Sequence, residues 1–131
     1  MRLNLDCMRD VLLCLEGLEI DAAISDSQIM EKLSLYDWAD VRYTLYKLVE
    51  ADFISAEYRP VSVDLNKPCS ALFVTDITYN GHQFLADVRS PKVWNAFKDI
   101  APQIGVASVS SAAQIVTNIV TVLIKNHFGI C

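Results

Sequence analysis

The sequence predicts an α+β fold with three helices, then a two-stranded antiparallel hairpin, then further helices. The first observation is that apolar residues recur at intervals of three and four as far as Glu50, which is helical spacing. The second is that two short strand-like runs follow, separated by a loop with two prolines. The third is size, since 131 residues of which 53% are hydrophobic can bury one substantial core. We therefore expect a single ordered domain with a helical appendage.

The first two helices have clear start and stop signals. Helix two follows Ser25, because Gln28 three residues later completes a capping-box pattern. Helix one ends near Gly17, and its apolar face carries Leu5, Met8, Val11, Leu12 and Leu15.

Helix three and the hairpin complete the opening unit. Asp37 is placed to cap or to favour the amino end of helix three, whose apolar positions are Trp38, Val41, Leu45, Leu48 and Val49. The strands are FISAEYR and ALFVTDI, joined by the loop PVSVDLNKPCS. Three helices followed by such a hairpin is the order of a winged helix-turn-helix, in which the hairpin is the wing.

Two more helices are predicted after the hairpin. Thr78 can cap helix four, and Ser90 before Pro91 repeats the start signal for helix five. The residues that we expect to be buried are Phe84, Leu85 and Val88 in helix four, and Val93, Trp94, Phe97 and Ile100 in helix five.

The last helix lies in SVSSAAQIVTNIVTVLIK, whose polar residues form one continuous stripe. This pattern favours an amphipathic helix over a membrane-spanning one, and we expect no membrane partner. We divide the chain into a winged-helix domain with a helical extension at 1–103 and a C-terminal helix at 104–131. That helix is predicted to make a homodimer or to pack on the domain. The candidate dimer interface is Ile115, Val116, Ile119, Val120 and Leu123.

The net charge and the cysteine positions argue against two kinds of site, one for nucleic acid and one for a metal ion. The formal net charge of -5 has the wrong sign for long-range attraction to phosphate, and the 11 basic residues are scattered. The four cysteines show neither a CxxC motif nor a cluster with histidine, so we expect no metal site. Free buried thiols indicate a reducing cytoplasm.

The sequence shows no residue pattern typical of a catalytic site. No paired carboxylates, no Cys/His constellation and no base near a nucleophile recur at a useful spacing. The four glycines are isolated, so no phosphate-binding loop is predicted. We expect a protein that is not an enzyme, with no catalytic residue, no cofactor and no small-molecule substrate.

The candidate partner-binding surface consists of outward-facing residues of helix three and the wing. Its members are Asp37, Asp40, Tyr43, Thr44, Lys47, Arg59 and Lys67. This surface is mixed to acidic, whereas a helix that reads DNA presents mainly Arg, Lys, Asn or Gln. DNA binding therefore follows from the fold by analogy only.

Residues 75–94, TDITYNGHQFLADVRSPKVW, form the most distinctive stretch, which we name the signature segment. With LDCMRDVLLCLE and YTLYKLVEADFI, it resembles an uncharacterised winged-helix family common in phages and prophages, the domain of unknown function 2513. The resemblance rests on Thr78, Gly81, His82, Phe84, Leu85, Arg89 and Trp94. It implies a winged-helix fold, a phage or prophage setting and a regulatory or accessory role. Asp52 departs from the family, which tends to have glycine there.

Thr78, Gly81, His82 and Trp94 are interpreted as a structural motif. Gly81 would let helix four approach another element closely, and His82 would be a hydrogen-bonding residue that pins this helix to the wing or to helix five, rather than a ligand or catalyst. Three functions stay open: a dimeric regulator acting through DNA or protein contacts, an acidic accessory protein that inhibits a host defence or nucleic-acid-handling complex, and a scaffolding module.

Overall fold

A computed structural model describes residues 2–60, 70–105 and 108–129. In these ranges the protein is α+β, with six helices and a three-stranded antiparallel sheet, so the predicted class is confirmed. The loop between the hairpin strands, with Lys67, lies outside the described residues, as do Cys69 and Cys131. The elements are α1 (Leu5–Glu16), β1 (Ile24–Ser25), α2 (Asp26–Lys32), α3 (Trp38–Glu50), β2 (Ile54–Pro60), β3 (Ser70–Ile77), α4 (Tyr79–Val88), α5 (Pro91–Ile104) and α6 (Val109–Phe128).

The sheet has the strand order β1-β3-β2. Strands β2 and β3 form the predicted hairpin, with a register shift at Ser55 and Ala56. Strand β1 was not predicted; it pairs Ile24 with Val74 and covers the other edge of β3. A strand of two residues is too short to show an alternating pattern, so its partner β3 defines it rather than its own sequence.

The helices begin where their capping residues predict. The Ser25 hydroxyl accepts a hydrogen bond from the Gln28 N–H, and the Gln28 side chain accepts one from the Ser25 N–H, which completes the capping box. Thr78 caps α4 and Ser90 caps α5. Asp37 is the N-cap residue of α3, but its side chain makes no cap hydrogen bond.

The core lies between the helices and the inner face of the sheet, where Leu72 and Val74 of β3 are fully buried. Two apolar predictions are wrong, since Trp38 is 42% exposed and Ile100 is 36% exposed. The largest fully buried side chains include Met8, Leu12, Ile29, Leu45, Leu48, Leu85 and Phe97.

Charged side chains on α1 hold the helices that follow the sheet. Arg9 donates from Nε to the Val88 carbonyl at 2.8 Å and from Nη2 to the Arg89 carbonyl at 3.3 Å, which satisfies the carboxyl end of α4. The Arg9 guanidinium also lies 5.5 Å from the ring centroid of Trp94. An ion pair joins Arg89 to Glu16. The helices that follow the sheet are therefore held in place by contacts with α1 and not only by their connection to the hairpin.

The signature segment joins α4 to the turn after α3. Thr78 donates from its hydroxyl to the Asp52 carbonyl, and a Cβ on Gly81 would lie 2.1 Å from the Phe53 carbonyl oxygen. Gly81 is thus required by the close approach that the sequence predicts. Asp52 adopts φ 60, so the left-handed turn survives without glycine.

The predicted role of His82 is wrong. Its side chain is exposed, and no side-chain hydrogen bond joins it to any described residue. Only its backbone N–H is used, donating to the Thr78 carbonyl at 2.9 Å. The first turn of α4 is held instead by Thr78 and Gly81, so the imidazole is left facing the solvent.

Helix α6 packs on α4 and α5 along its first half, where Val109, Ala112, Val116 and Ile119 are buried. Val116 and Ile119 were predicted at a dimer interface, but their own domain covers them. The second half exposes apolar side chains, which are Val122, Ile124 and Phe128. Within the described ranges, none of the helices has the length and apolar character needed to cross a membrane.

Candidate functional site

The outward face of α3 was the first candidate surface, and its charges are largely matched within the helix. Lys47 donates to the Glu50 carboxylate at 2.9 Å, and its ammonium lies 5.3 Å from the ring centroid of Tyr43. The hydrogen bond that Lys47 donates to Glu50 raises the pKa of Lys47. Asp37 and Asp40 lie at the start of the same helix and add negative charge. The face therefore offers little net positive charge.

Thr44 is not part of that face. It is fully buried between α3 and the core, against the prediction. Its hydroxyl has no hydrogen-bond partner among the described residues. Burial raises the pKa of the Cys7 thiol, and the nearby Thr44 hydroxyl offsets part of that rise. The position reads as polar in the sequence, but it lies on the inner side of the helix.

Arg59 lies on the sheet face turned away from α3. Successive side chains of a strand point to opposite faces, and the neighbouring Tyr58 points towards α3, where its ring stacks on Tyr46. Arg59 instead pairs with Glu57 and lies 4.5 Å from the ring centroid of Phe73. The candidate wing residue and the α3 residues are thus separated by the sheet.

A different surface joins α3 to β2. Trp38, Arg42 and Tyr46 follow one another at intervals of four residues on α3, so they form a line along the helix. The Arg42 guanidinium lies 5.7 Å from the Trp38 centroid and 5.3 Å from the Tyr46 centroid. Tyr58 of β2 stacks on Tyr46 with centroids 6.0 Å apart. We name these four residues the aromatic–arginine stripe.

Asp26 holds Arg42, the arginine of the stripe, in place. Its side chain is almost fully buried and accepts hydrogen bonds from Arg42 Nη1 at 3.2 Å and from the Leu72 N–H at 3.3 Å. Arg42 Nε also donates to the Tyr46 hydroxyl at 2.9 Å. Buried charged groups in proteins are usually paired and hydrogen-bonded, and Arg42 and the Leu72 N–H are such partners for Asp26. Arg42 is therefore held in one position between its two rings.

The stripe has the composition of a binding surface for protein. Trp38 is 42% exposed and Tyr58 is 52% exposed, and Leu35 in the turn before α3 is 95% exposed. Tryptophan, tyrosine and arginine are the residues most enriched at the energetic centres of protein interfaces. Burial and the neighbouring Tyr46 raise the pKa of the Tyr58 hydroxyl.

Comparison with known proteins supplies a family. Residues 2–107 match the family described as "Hypothetical protein (DUF2513)". The chain belongs to this family. The DUF2513 match covers α1 to α5 and ends before α6. No curated protein matches the chain.

Within the DUF2513 domain, most signature residues hold the fold. Thr78 caps α4, Gly81 allows close approach, Arg89 pairs with Glu16, and Trp94 is buried beneath Arg9. His82 differs, because it lines an open cavity of about 700 Å³ on the sheet side opposite α3. Four carboxylates also line this cavity, on Glu16, Glu19, Asp21 and Asp76.

Sequence reasoning missed the aromatic–arginine stripe for an identifiable reason. Trp38 was interpreted as a core residue because tryptophan at helical spacing usually is one. The interval of four between Trp38, Arg42 and Tyr46 was available in the sequence and could have indicated the line. The contribution of Tyr58 depends on where β2 lies beside α3, which no local pattern shows.

Proposed function

We propose that this DUF2513 chain is a non-enzymatic winged-helix protein that binds a protein partner through the aromatic–arginine stripe. The order α1-β1-α2-α3-β2-β3 and the strand order β1-β3-β2 support a winged helix, with α3 as the exposed helix and the hairpin as the wing. A regulatory or accessory role fits a binding domain of this size.

The observation that carries the proposal is the pair of partly exposed rings, Trp38 and Tyr58, on either side of a fixed arginine. Large rings lose little conformational entropy on binding, and here they are already ordered by Arg42, which Asp26 holds. The net charge of -5 favours a partner with a basic surface, because opposite charges speed encounter.

The stripe can be tested by affinity capture from cells of the native host, with the bound proteins quantified by mass spectrometry. The test variant carries Trp38→Ala and Tyr58→Ala, and the matched control is Tyr79→Ala, which removes another ring that is 77% exposed. We expect the control to retain the partner and the double variant to bind it at least about 30-fold more weakly. Far-ultraviolet circular dichroism checks that both are folded. A folded double variant with unchanged capture would refute the proposal.

DNA binding is the second candidate, and one arrangement favours it. Lys47 and Tyr43 of α3 border a cavity of about 250 Å³ with Ser108 and Ser110 at the start of α6. A cation, hydroxyls and a helix amino end are groups that contact DNA phosphates.

Mobility shift on random duplex DNA separates the two candidates, because phosphate contacts weaken steeply with added salt. Under the protein-binding proposal, the wild type gives no shift at low salt. A shift that disappears on raising the salt, and that Lys47→Ala weakens, would favour the DNA candidate. Arg2→Ala is the control, since Arg2 is an exposed cation that belongs to neither α3 nor α6.

A further inference from the structure

Asp26 is the only charged side chain that is buried within the part of the chain that the structure describes, with 1% of its surface exposed. It is the first residue of α2 and follows directly after β1. Buried charges in proteins are paired and hydrogen-bonded, because desolvation of an isolated charge is very costly. The partners of Asp26 therefore show what this position does.

The two carboxylate oxygens of Asp26 accept hydrogen bonds from two backbone groups. Oδ1 accepts from the Ser27 N–H at 2.8 Å, and Oδ2 accepts from the Leu72 N–H at 3.3 Å. Ser25 of β1 pairs with Phe73 of β3, so the next residue of a longer β1 would stand opposite Leu72. The Asp26 side chain takes the place of that residue as the hydrogen-bond acceptor. It is thus anchored to the backbone of both α2 and β3.

The anchored carboxylate also holds Arg42 and, through it, Trp38. Oδ2 accepts from Arg42 Nη1 at 3.2 Å, and the guanidinium lies 5.7 Å from the Trp38 centroid. Tyr58, the ring that β2 contributes to the stripe, pairs in register with Leu72. The stripe residues of α3 and of β2 are therefore placed relative to one atom of a buried side chain.

We propose that Asp26 is a positioning residue of the partner-binding surface, which acts by holding Arg42 against Trp38 and does not touch the partner. The inference rests on the proposed function, because it concerns the same surface. An arginine that is already held when the partner arrives loses less conformational entropy on binding. Since Asp26 is buried, its effect on binding reaches the partner through Arg42.

Asp26→Asn is a sharp probe because an amide of the same size has a single acceptor oxygen. The carboxylate uses both of its oxygens, one for Ser27 and the other for Leu72 and Arg42. In one orientation of the asparagine, its NH2 group faces the Ser27 N–H. In the other orientation, the NH2 group faces the Leu72 N–H and Arg42. The variant also removes the negative charge, so Arg42 loses this ionic partner in either orientation.

Trp38 fluorescence tests the hold on Arg42 without any partner. The chain has two tryptophans, so in a Trp94→Phe background Trp38 is the one that emits. We expect Asp26→Asn to raise the acrylamide quenching constant of Trp38 to a value close to that of Arg42→Ala, because the guanidinium no longer covers the ring. Asp87→Asn, the same substitution at a half-buried carboxylate of α4, is the control and should leave the constant unchanged. Equal quenching in the Asp26 and Asp87 variants would overturn the proposal.

A measurement on the wild type covers the case in which the Asp26 variant does not fold. Nuclear magnetic resonance relaxation of isotope-labelled protein gives an order parameter for the Nε–H group of each arginine. We expect about 0.85 for Arg42, as for rigid backbone, and below about 0.6 for Arg2, which is an exposed cation. A mobile Arg42 guanidinium would contradict the proposal without any substitution.

Partner capture tests the consequence for binding in a cycle of four proteins, which are the wild type, Asp26→Asn, Arg42→Met and the variant with both changes. We expect Asp26→Asn to weaken capture by about threefold to tenfold, which is the cost of immobilising one long side chain on binding. In the Arg42→Met background the same change should have no further effect, because Asp26 acts through Arg42. Equal losses in both backgrounds would show that Asp26 supports only the fold and would refute its positioning role.

The failure of this proposal can be told apart from the failure of the proposed function. Circular dichroism checks that each variant is folded. If Asp26→Asn keeps full capture while the variant with Trp38→Ala and Tyr58→Ala loses the partner, the stripe binds but Asp26 does not position it. If the variant with Trp38→Ala and Tyr58→Ala keeps the partner, the stripe is not the binding site and the proposed function is refuted, whatever the quenching constants show.

Discussion

The signature segment and the aromatic–arginine stripe both contain conspicuous aromatic and charged residues, yet they differ in what the fold requires. In the signature segment, Trp94 is buried and Gly81 touches backbone. In the stripe, Trp38 and Tyr58 stay partly exposed although buried positions are close by. The most distinctive residues of this sequence therefore stabilise the fold, whereas the residues that we propose to bind a partner are not distinctive in the sequence.

The two tryptophans test this difference most directly. Trp94 is 7% exposed and Trp38 is 42% exposed, so the same truncation should have unequal costs. We expect Trp94→Ala to lower the free energy of unfolding by about 4 kcal/mol. Trp38→Ala should lower it by only about 1 kcal/mol, because it mainly loses the contact with Arg42. Urea denaturation measures both, with Trp94→Phe as a substitute if the alanine variant does not fold. Equal losses in the free energy of unfolding for the two variants would contradict this difference between the signature segment and the stripe.

Gly81→Ala should be the next most damaging change. The new methyl would lie 2.1 Å from the Phe53 carbonyl oxygen and 2.6 Å from Ile77 Cγ2, so the backbone must move. We expect a loss of about 3 kcal/mol in the free energy of unfolding, measured by chemical denaturation. Gly105→Ala is the control, with no atom within 4 Å of the added methyl and only the strain of φ +66. That control should lose about 1 kcal/mol, and a Gly81 variant no worse than it would show that the joint can relax.

Arg9→Ala should cost about 2 kcal/mol in thermal or urea unfolding. The variant leaves the Val88 and Arg89 carbonyls at the end of α4 without their donor and removes the cation above Trp94. Arg2→Ala removes an exposed arginine from the same end of the chain and should be nearly neutral. If the two variants are equally stable, the contacts of Arg9 with the end of α4 do not contribute to stability.

Asp52 allows the smallest and most subtle test. Its φ of 60 is easy for glycine and difficult for a β-branched residue. Asp52→Gly should change the free energy of unfolding by less than about 1 kcal/mol, whereas Asp52→Val should lower it by about 1–2 kcal/mol. Comparable stability of these two variants in urea would show that the turn adopts another conformation.

Much of the fold could be predicted because its signals are local. Helix starts depend on a capping residue and its neighbour three positions on, as at Ser25 and Thr78, and the hairpin depends on a change of period. Strand β1 could not be predicted, since two residues acquire strand geometry only from pairing with β3.

The candidate site was predicted less well because it depends on which way side chains point. Thr44 turned inward, Arg59 lies across the sheet from α3, and His82 lost its expected partner. Helical spacing already places Thr44 on the side of the buried Val41 and Leu48, whereas the surroundings of Arg59 and His82 depend on the angle at which one element meets another. Short-range spacing in a sequence carries no information on that angle.

The contacts of α1 also have a consequence for the order in which the protein can assemble. Arg9 meets Val88 across 79 residues, Glu16 meets Arg89 across 73, and Asp6 meets Lys98 across 92. At a synthesis rate of about 5–20 residues per second, the first helix waits roughly 4–18 s for these partners. Because distant contacts must close long loops before they stabilise the chain, folding should be slower than in a helical protein built from local contacts. These contacts of α1 can therefore form only after α4 and α5 have been synthesised.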